Sequence, residues 1–185
     1  MVRKNIEIKA RVSLEQVGSI LSKLIPLTSC APVEIVQDDI YFSCPNGRLK
    51  LRMLSADEGE LIFYERPNVS SPKESRYVIA PTSCPDLLRD ALTHAYGQAG
   101  RVTKTRTLFM VGRTRVLIDE VAGLTGRFIE LEVVLSEGES AEAGVAVAND
   151  LLARLGVAQE QLVAEGYVDL LAKERPAQTQ KESHT

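Results

Sequence analysis

Polar and apolar side chains alternate strictly from residue 5 to residue 11: Asn5, Glu7, Lys9 and Arg11 share one parity, and Ile6, Ile8 and Ala10 the other. That two-residue period is the mark of a β-strand. It returns over residues 47–52, where Arg48, Lys50 and Arg52 oppose Leu49 and Leu51. It returns again in Lys104-Thr105-Arg106, in Arg113-Thr114-Arg115 and in Glu130-Leu131-Glu132. An ordinary half-buried strand turns its polar parity to water. Five segments with acids and bases on matched faces predict instead a sheet closed around a polyanion and its metal ions.

Strands are predicted over 5–12, 35–43, 48–55, 60–66, 74–79, 101–110, 113–121 and 127–136. Helices are predicted over 14–24, 84–96 and 141–154, with a short helical stretch over 168–173. Ser13-Leu14-Glu15-Gln16 opens the first helix as a capping box, Val17, Ile20, Leu21 and Leu24 form its apolar stripe, and Pro26 closes it. The second helix gathers Leu87, Leu88, Ala91, Leu92 and Ala95 on one side and stops at Gly97. The third carries a stripe of Ala143, Val147, Leu151 and Leu155, followed by Gly156. Turn residues at Pro45-Asn46-Gly47, Asp57-Glu58-Gly59 and Val111-Gly112, and a corner between Gly123 and Gly126, keep the connections short and favour antiparallel neighbours. No βαβ unit with a glycine-rich phosphate loop is present.

At 185 residues the chain is read as a single domain over 1–171, with a disordered tail over 172–185. Aromatic residues make up 5% and Trp is absent, so aliphatic side chains must carry the packing. A formal net charge of -3 gives no reason to expect a nucleic-acid or membrane partner. Cys30, Cys44 and Cys84 are widely spaced and form no CxxC pair, which argues against both a zinc site and a disulfide framework. Arg3 and Lys4 are followed by no apolar run, and no stretch approaches transmembrane length. A cytoplasmic protein, monomer or homodimer, is expected. His94 and His184 lack partners for a triad or a metal, and no GxSxG elbow occurs.

The chemistry therefore rests on the charged parities. Arg48, Lys50 and Arg52 on one strand face, taken alone, would equally suit a solvated edge strand protected by charge. Lys104 with Arg106, and Arg113 with Arg115, repeat the arrangement. Converging cations repel unless an anion joins them. Arg forks match phosphate oxygens, and Lys adds a compact charge. Several such groups suit a triphosphate rather than one phosphate. Glu130 and Glu132 share a face, Asp119 shares the parity of Arg113 and Arg115, and Glu7 lies between Asn5 and Lys9. Their hard oxygens suit Mg²⁺ or Mn²⁺, although internal ion pairing with the neighbouring cations is expected as well.

These residues resemble the CYTH family, also called triphosphate tunnel metalloenzymes, from residue 5 to about residue 171. The family's N-terminal signature is Glu-x-Glu-x-Lys. Glu7 and Lys9 match it, and Asn5 replaces the first acid. The Arg48/Lys50/Arg52 strand resembles the family's phosphate-binding strand, and residues 37–42 resemble the segment before it. Residues 115–120 resemble the stretch carrying an acidic metal ligand, which falls on Asp119, and Glu130-Leu131-Glu132 resembles the next metal-binding strand. The resemblance implies an α+β, mainly β, fold: an eight-stranded antiparallel barrel forming a charged tunnel, with helices packed outside. A further cation from the strand ending at residue 66 is implied. Arg66 and Arg76 both compete for that place, because parity alone does not set the register.

The function implied is metal-dependent hydrolysis of an inorganic or organic triphosphate. Lys9, Arg48, Lys50, Arg52, Arg66, Lys104, Arg106, Arg113 and Arg115 would bind the substrate, with Lys9, Arg52 and Arg106 as catalytic candidates. Glu7, Asp119, Glu130, Glu132 and Asn5 would hold Mg²⁺ or Mn²⁺. A class IV adenylate cyclase would use the same cradle for ATP. A non-catalytic polyphosphate- or nucleotide-binding module is the third reading, and Asn5, which brings no charge, is its main support.

Overall fold

The computed structural model describes residues 3–174. Eight strands, β1 (Arg3–Val12), β2 (Val33–Phe42), β3 (Arg48–Met53), β4 (Gly59–Glu65), β5 (Lys73–Thr82), β6 (Gln98–Val111), β7 (Thr114–Val121) and β8 (Arg127–Val134), close into a barrel in the order β1-β5-β4-β3-β2-β6-β7-β8. Every pairing is antiparallel. Hairpins explain most of that order. Three contacts are distant in sequence: β1 with β5, β1 with β8, and β2 with β6. They close the cylinder, so no strand edge is left free within it.

The main apolar core lies outside the barrel. Ile6, Ile8, Ala10 and Val12 of β1 and Ile129, Leu131 and Val133 of β8 face outward against two helices, α1 (Leu14–Leu24) and α3 (Ala141–Leu155). The Ser13 capping box forms as its sequence implies. Helix α2 (Pro85–Tyr96) covers Ile40, Phe42 and Leu51 on the β2–β3 wall. Most apolar surface is thus buried between sheet and helices, and the charged side chains gather in the bore beside a few aliphatic ones. Among the described residues no helix is long and apolar enough to cross a membrane.

Two helix stripes differ from the sequence reading. In α3 the buried face is Gly144, Ala148, Leu151, Leu152 and Leu155, whereas Val147 is 37% exposed. The shift follows from Gly144: a Cβ there would stand 2.5 Å from Ile6 and 2.7 Å from Leu135, so only glycine lets the helix lie this close to β1. In α2, Leu87 is exposed and only Leu88 and Leu92 reach the sheet. Truncating Leu152 to alanine removes a buried contact between α3 and the sheet. It should lower unfolding stability by about 2–5 kcal/mol in denaturant titration while leaving the bore unchanged.

The first three residues of the tail expected over 172–185 are helical. Ala172, Lys173 and Glu174 continue the last helix, α4 (Tyr167–Glu174), where Glu174 pairs with Arg11 at 2.9 Å and Lys173 pairs with Glu165. The rest of that expected tail lies outside the described residues.

Candidate active site

The inward parity is odd on β1, β2, β5 and β7 and even on β3, β4, β6 and β8, and it encloses a cavity of about 320 Å³. Eight cations line it: Arg3, Lys9, Lys50, Arg52, Arg66, Lys104, Arg106 and Arg115. Only three carboxylates do: Glu7, Glu130 and Glu132. The lining therefore carries a clear excess of positive charge in a low-dielectric bore.

Register explains how the charges meet. Glu7 is the Cα partner of Glu132, Lys9 of Glu130, and Arg115 of Glu132. Lys9 Nζ lies 3.0 Å from Glu130, Arg115 Nε donates to Glu132 at 2.7 Å, and Arg66 lies 3.1 Å from Glu7. Arg106 donates in bidentate fashion to Asp119 at 2.6 and 2.5 Å and also reaches Glu130. On β2, Asp39, 1% exposed, accepts from Lys50 at 2.7 Å and from Arg52 at 2.8 and 3.0 Å. That carboxylate sets two cations of β3 side by side, facing the bore.

One end of the barrel is closed by the start of α4. The Tyr167 hydroxyl donates to Asp119 at 2.8 Å, and its ring lies 3.6 Å from Lys9 Nζ and 4.8 Å from Lys104 Nζ. Lys9 and Arg66 each donate at 3.3 Å to backbone carbonyls of this segment, at Glu165 and Ala164.

Burial and charge shift the titrations. Burial pushes the Glu7 carboxyl up against the pull of Arg66, and Glu130 and Glu132 add to the rise. Burial would also raise Glu130, but Lys9, Arg106 and Lys104 together hold it well below the usual carboxylate range. Burial works likewise on Asp39 and is overcome by Lys50 and Arg52, which keep it low. Lys104 is lowered to about 8 by burial and by Arg106 beside it, and Lys73 to about 8 mainly by burial. Of the two, Lys104 lines the cavity and loses its charge as pH rises through about 8, so affinity for a polyanion bound there should fall, by at most about tenfold per pH unit. Binding at pH 8.5 should take up protons. Calorimetry in two buffers of different ionisation heat measures that uptake.

The structure brings most of the sequence candidates together. Lys9, Lys50, Arg52, Arg66, Lys104, Arg106, Arg115, Asn5, Glu7, Glu130 and Glu132 all line the cavity. Three stand elsewhere. Arg113 sits in the two-residue turn between Val111 and Thr114, exposed and paired with Glu139, because β7 begins one residue later than predicted. Arg48 has the inward parity but is held at the closed end by Asp169 and by Asn68 at 3.2 Å. Asp119 lies fully buried beneath the cavity, its oxygens taken by Arg106 and Tyr167. Register settles the remaining choice: Arg66 lines the bore, whereas Arg76 is exposed and pairs with Glu74 at 2.6 Å.

Sequence reasoning left out Asp39, Gln37, Lys73 and Tyr167. Gln37 and Asp39 share the parity of Tyr41, and Lys73 that of Ser75 and Tyr77, so alternation alone could have found them. Tyr167 enters from a helix, where strand parity gives no signal.

Glu7, Glu130 and Glu132 offer carboxylate oxygens, and the Asn5 Oδ1 is buried without a hydrogen-bond partner. That orphaned oxygen on the same wall fits Mg²⁺ or Mn²⁺ by chemistry. Among the described residues, however, no three acidic or metal-binding side chains form a ready cage. Each carboxylate is instead turned to a cation.

No curated protein matches the chain. Solved structures do. The PH1012 protein from Pyrococcus horikoshii OT3 superposes with a TM-score of 0.76 at 21% identity, covering 90% of this chain and 99% of that one. A conserved protein from Pyrococcus furiosus gives 0.72 at 20% identity, with 90% and 99% covered. HpAC1 from Hippeastrum, an adenylyl cyclase candidate with a dominant triphosphatase activity, gives 0.63 at 14% identity, with 91% and 95% covered. Likeness at such identities establishes the shared barrel. The CYTH domain model matches residues 3–167, which takes in every strand and the whole cavity wall, and the chain accordingly belongs to the CYTH family.

Proposed function

We propose that the protein hydrolyses a triphosphate with the help of Mg²⁺ or Mn²⁺. The observation that carries this reading is the imbalance of the bore, eight cations against three carboxylates in about 320 Å³. Such a cavity attracts a polyanion strongly and a single phosphate weakly. Its volume lies near the lower end for small-molecule sites, roughly 300–1,000 Å³.

Lys50 and Arg52 on β3, set by Asp39, Lys104 and Arg106 on β6, and Lys9 on β1 surround the phosphate chain. Arg106 has a fixed fork and remains charged, and burial makes its field count for more than in water. It is suited to stabilise charge that shifts toward the leaving phosphate oxygen. Water attack on a phosphorus forms one P–O bond and breaks the bridging P–O bond, and orthophosphate leaves. The water's protons pass to the carboxylates of the β1–β8 wall or to solvent. Glu7, Glu130, Glu132 and Asn5 would hold the cation, which when bound neutralises phosphate oxygens and lowers the pKa of water. Asn5 in place of an acid makes this wall one charge poorer, so one firmly held ion suits it better than two.

The test is product analysis. Purified protein with Mn²⁺ is incubated separately with tripolyphosphate, thiamine triphosphate and ATP, and all products are resolved by chromatography. Orthophosphate from at least one of them, with little cyclic AMP, is the expected result. Cyclic AMP and pyrophosphate as the main ATP products would establish the cyclase reading instead. Tight triphosphate binding without turnover of any candidate would establish a binding module.

A further inference from the structure

Two side chains that line the bore hold a buried amide oxygen that accepts no hydrogen bond: Asn5, at Oδ1, and Gln37, at Oε1. Asn5 stands on the wall proposed to hold Mg²⁺ or Mn²⁺. Gln37, 7% exposed, has no part in the steps above. It stands on β2 as the Cα partner of Lys104. Two residues away on the same inward parity, Ile35 is the partner of Arg106, and two residues the other way Asp39 is the partner of Arg52. Gln37 therefore lies within cross-strand reach of three cations. None of them donates to its oxygen. Arg52 is turned to Asp39, Arg106 to Asp119 and Glu130, and Lys104 Nζ lies 3.5 Å from Asp119.

A buried acceptor without a partner is costly and calls for a donor. An ionised phosphate chain brings acceptors alone, and the cations around Gln37 turn to that chain when it binds. Water is the one reactant of the hydrolysis that brings O–H groups. Resting on the triphosphate-hydrolysis reading above, we propose that Gln37 is a catalytic residue whose Oε1 accepts a hydrogen bond from the attacking water. The terminal torsion of a carboxamide is soft, so the oxygen turns to the bore without backbone movement. Fixing a hydrogen of the water aims its lone pair at phosphorus. The water oxygen forms the new P–O bond, the bridging P–O bond breaks, its electron pair leaves with the departing phosphate, and the water's proton passes to solvent. Gln37 takes no proton, because an amide oxygen is too weak a base. A neutral side chain suits this place, since a carboxylate would cancel one of the cations that bind the chain.

The test is steady-state release of orthophosphate by the full chain with Mn²⁺, from tripolyphosphate, thiamine triphosphate and ATP, beside calorimetry of tripolyphosphate binding in EDTA. Gln37→Met keeps the length of the side chain and removes the acceptor. Its kcat should fall by about 10²-fold, while KM and the affinity in EDTA stay within about threefold of wild type. Gln37→Asn keeps the amide but withdraws it by one methylene. Its kcat should fall by about tenfold with the same small effect on binding, and it decides the matter if the Met variant does not fold. A Gln37 that merely pairs with Lys104 gives the reverse, weaker binding with kcat intact, and that result would overturn the inference. Wild-type kcat and binding in every variant that folds would overturn this inference alone. A wild-type protein that hydrolyses none of the three triphosphates defeats the hydrolysis reading and this inference with it.

Discussion

Arg106→Ala is expected to lose activity and stability together. The guanidinium holds Asp119, which is fully buried, and also reaches Glu130. Removing it leaves the buried Asp119 with only Lys104 and Tyr167, and takes from Glu130 one of its two ion-pair partners. Breaking a buried pair from one side costs about 3–5 kcal/mol. Turnover of tripolyphosphate should drop by about 10²–10³-fold, the usual loss when one preorganised donor to a developing charge is removed. Arg106→Lys separates the two roles. It keeps the charge but loses the fork, so stability should recover more than turnover does. Urea unfolding and phosphate release on the same preparations measure both. An alanine variant with wild-type activity would remove Arg106 from the site.

Glu130→Gln should move binding and turnover in opposite directions. Its carboxylate is ionised and accepts from Lys9 and Arg106. Neutralising it frees these cations for phosphate, so tripolyphosphate should bind about tenfold more tightly in EDTA. The same change removes a hard anionic ligand from the Asn5–Glu7–Glu132 wall. Metal-supported turnover should therefore fall by about 10²-fold or more, with a higher Mn²⁺ concentration needed for half-maximal rate. A purely structural ion pair would weaken binding and turnover alike. Calorimetry and phosphate release at varied Mn²⁺ distinguish the two outcomes. Glu132→Gln should show the same signs, with a smaller gain in metal-free binding, because its partner Arg115 is the less buried cation.

Strand parity made the barrel legible from sequence. Where a segment alternates, as in Asn5–Arg11 or Lys50–Arg52, its inward and outward faces follow directly, and the eight strands lie close to their predicted positions. The long-range closures of β1 on β5 and β2 on β6 have no such local sign. The choice between Arg66 and Arg76 depended on them, and only register decides it. Arg113 shows the opposite limit. It has the right parity, but a two-residue turn with Gly112 at φ 56 claims it, and a turn side chain follows no strand face. Arg48 and Asp119 do point inward, yet Asp169 and Tyr167 from the C-terminal helix take their hydrogen bonds. Those partners lie 121 and 48 residues away in sequence, so no local pattern foretells them. The residues that sequence reasoning omitted were mainly those whose charge is spent on other site residues, above all Asp39 beneath Lys50 and Arg52.

The central claim is that the interior of this barrel, and no outer surface, is the anion and metal site. Crystals grown with tripolyphosphate and Mn²⁺ test it most directly, because manganese can be located by its anomalous scattering. The account predicts phosphate density inside the bore, in contact with Lys9, Lys50, Arg52 and Arg106. It also predicts an anomalous peak against Glu7, Glu130 or Glu132. Tripolyphosphate bound only on the outer surface, with the interior ion pairs of Lys9–Glu130 and Arg52–Asp39 undisturbed, would contradict it.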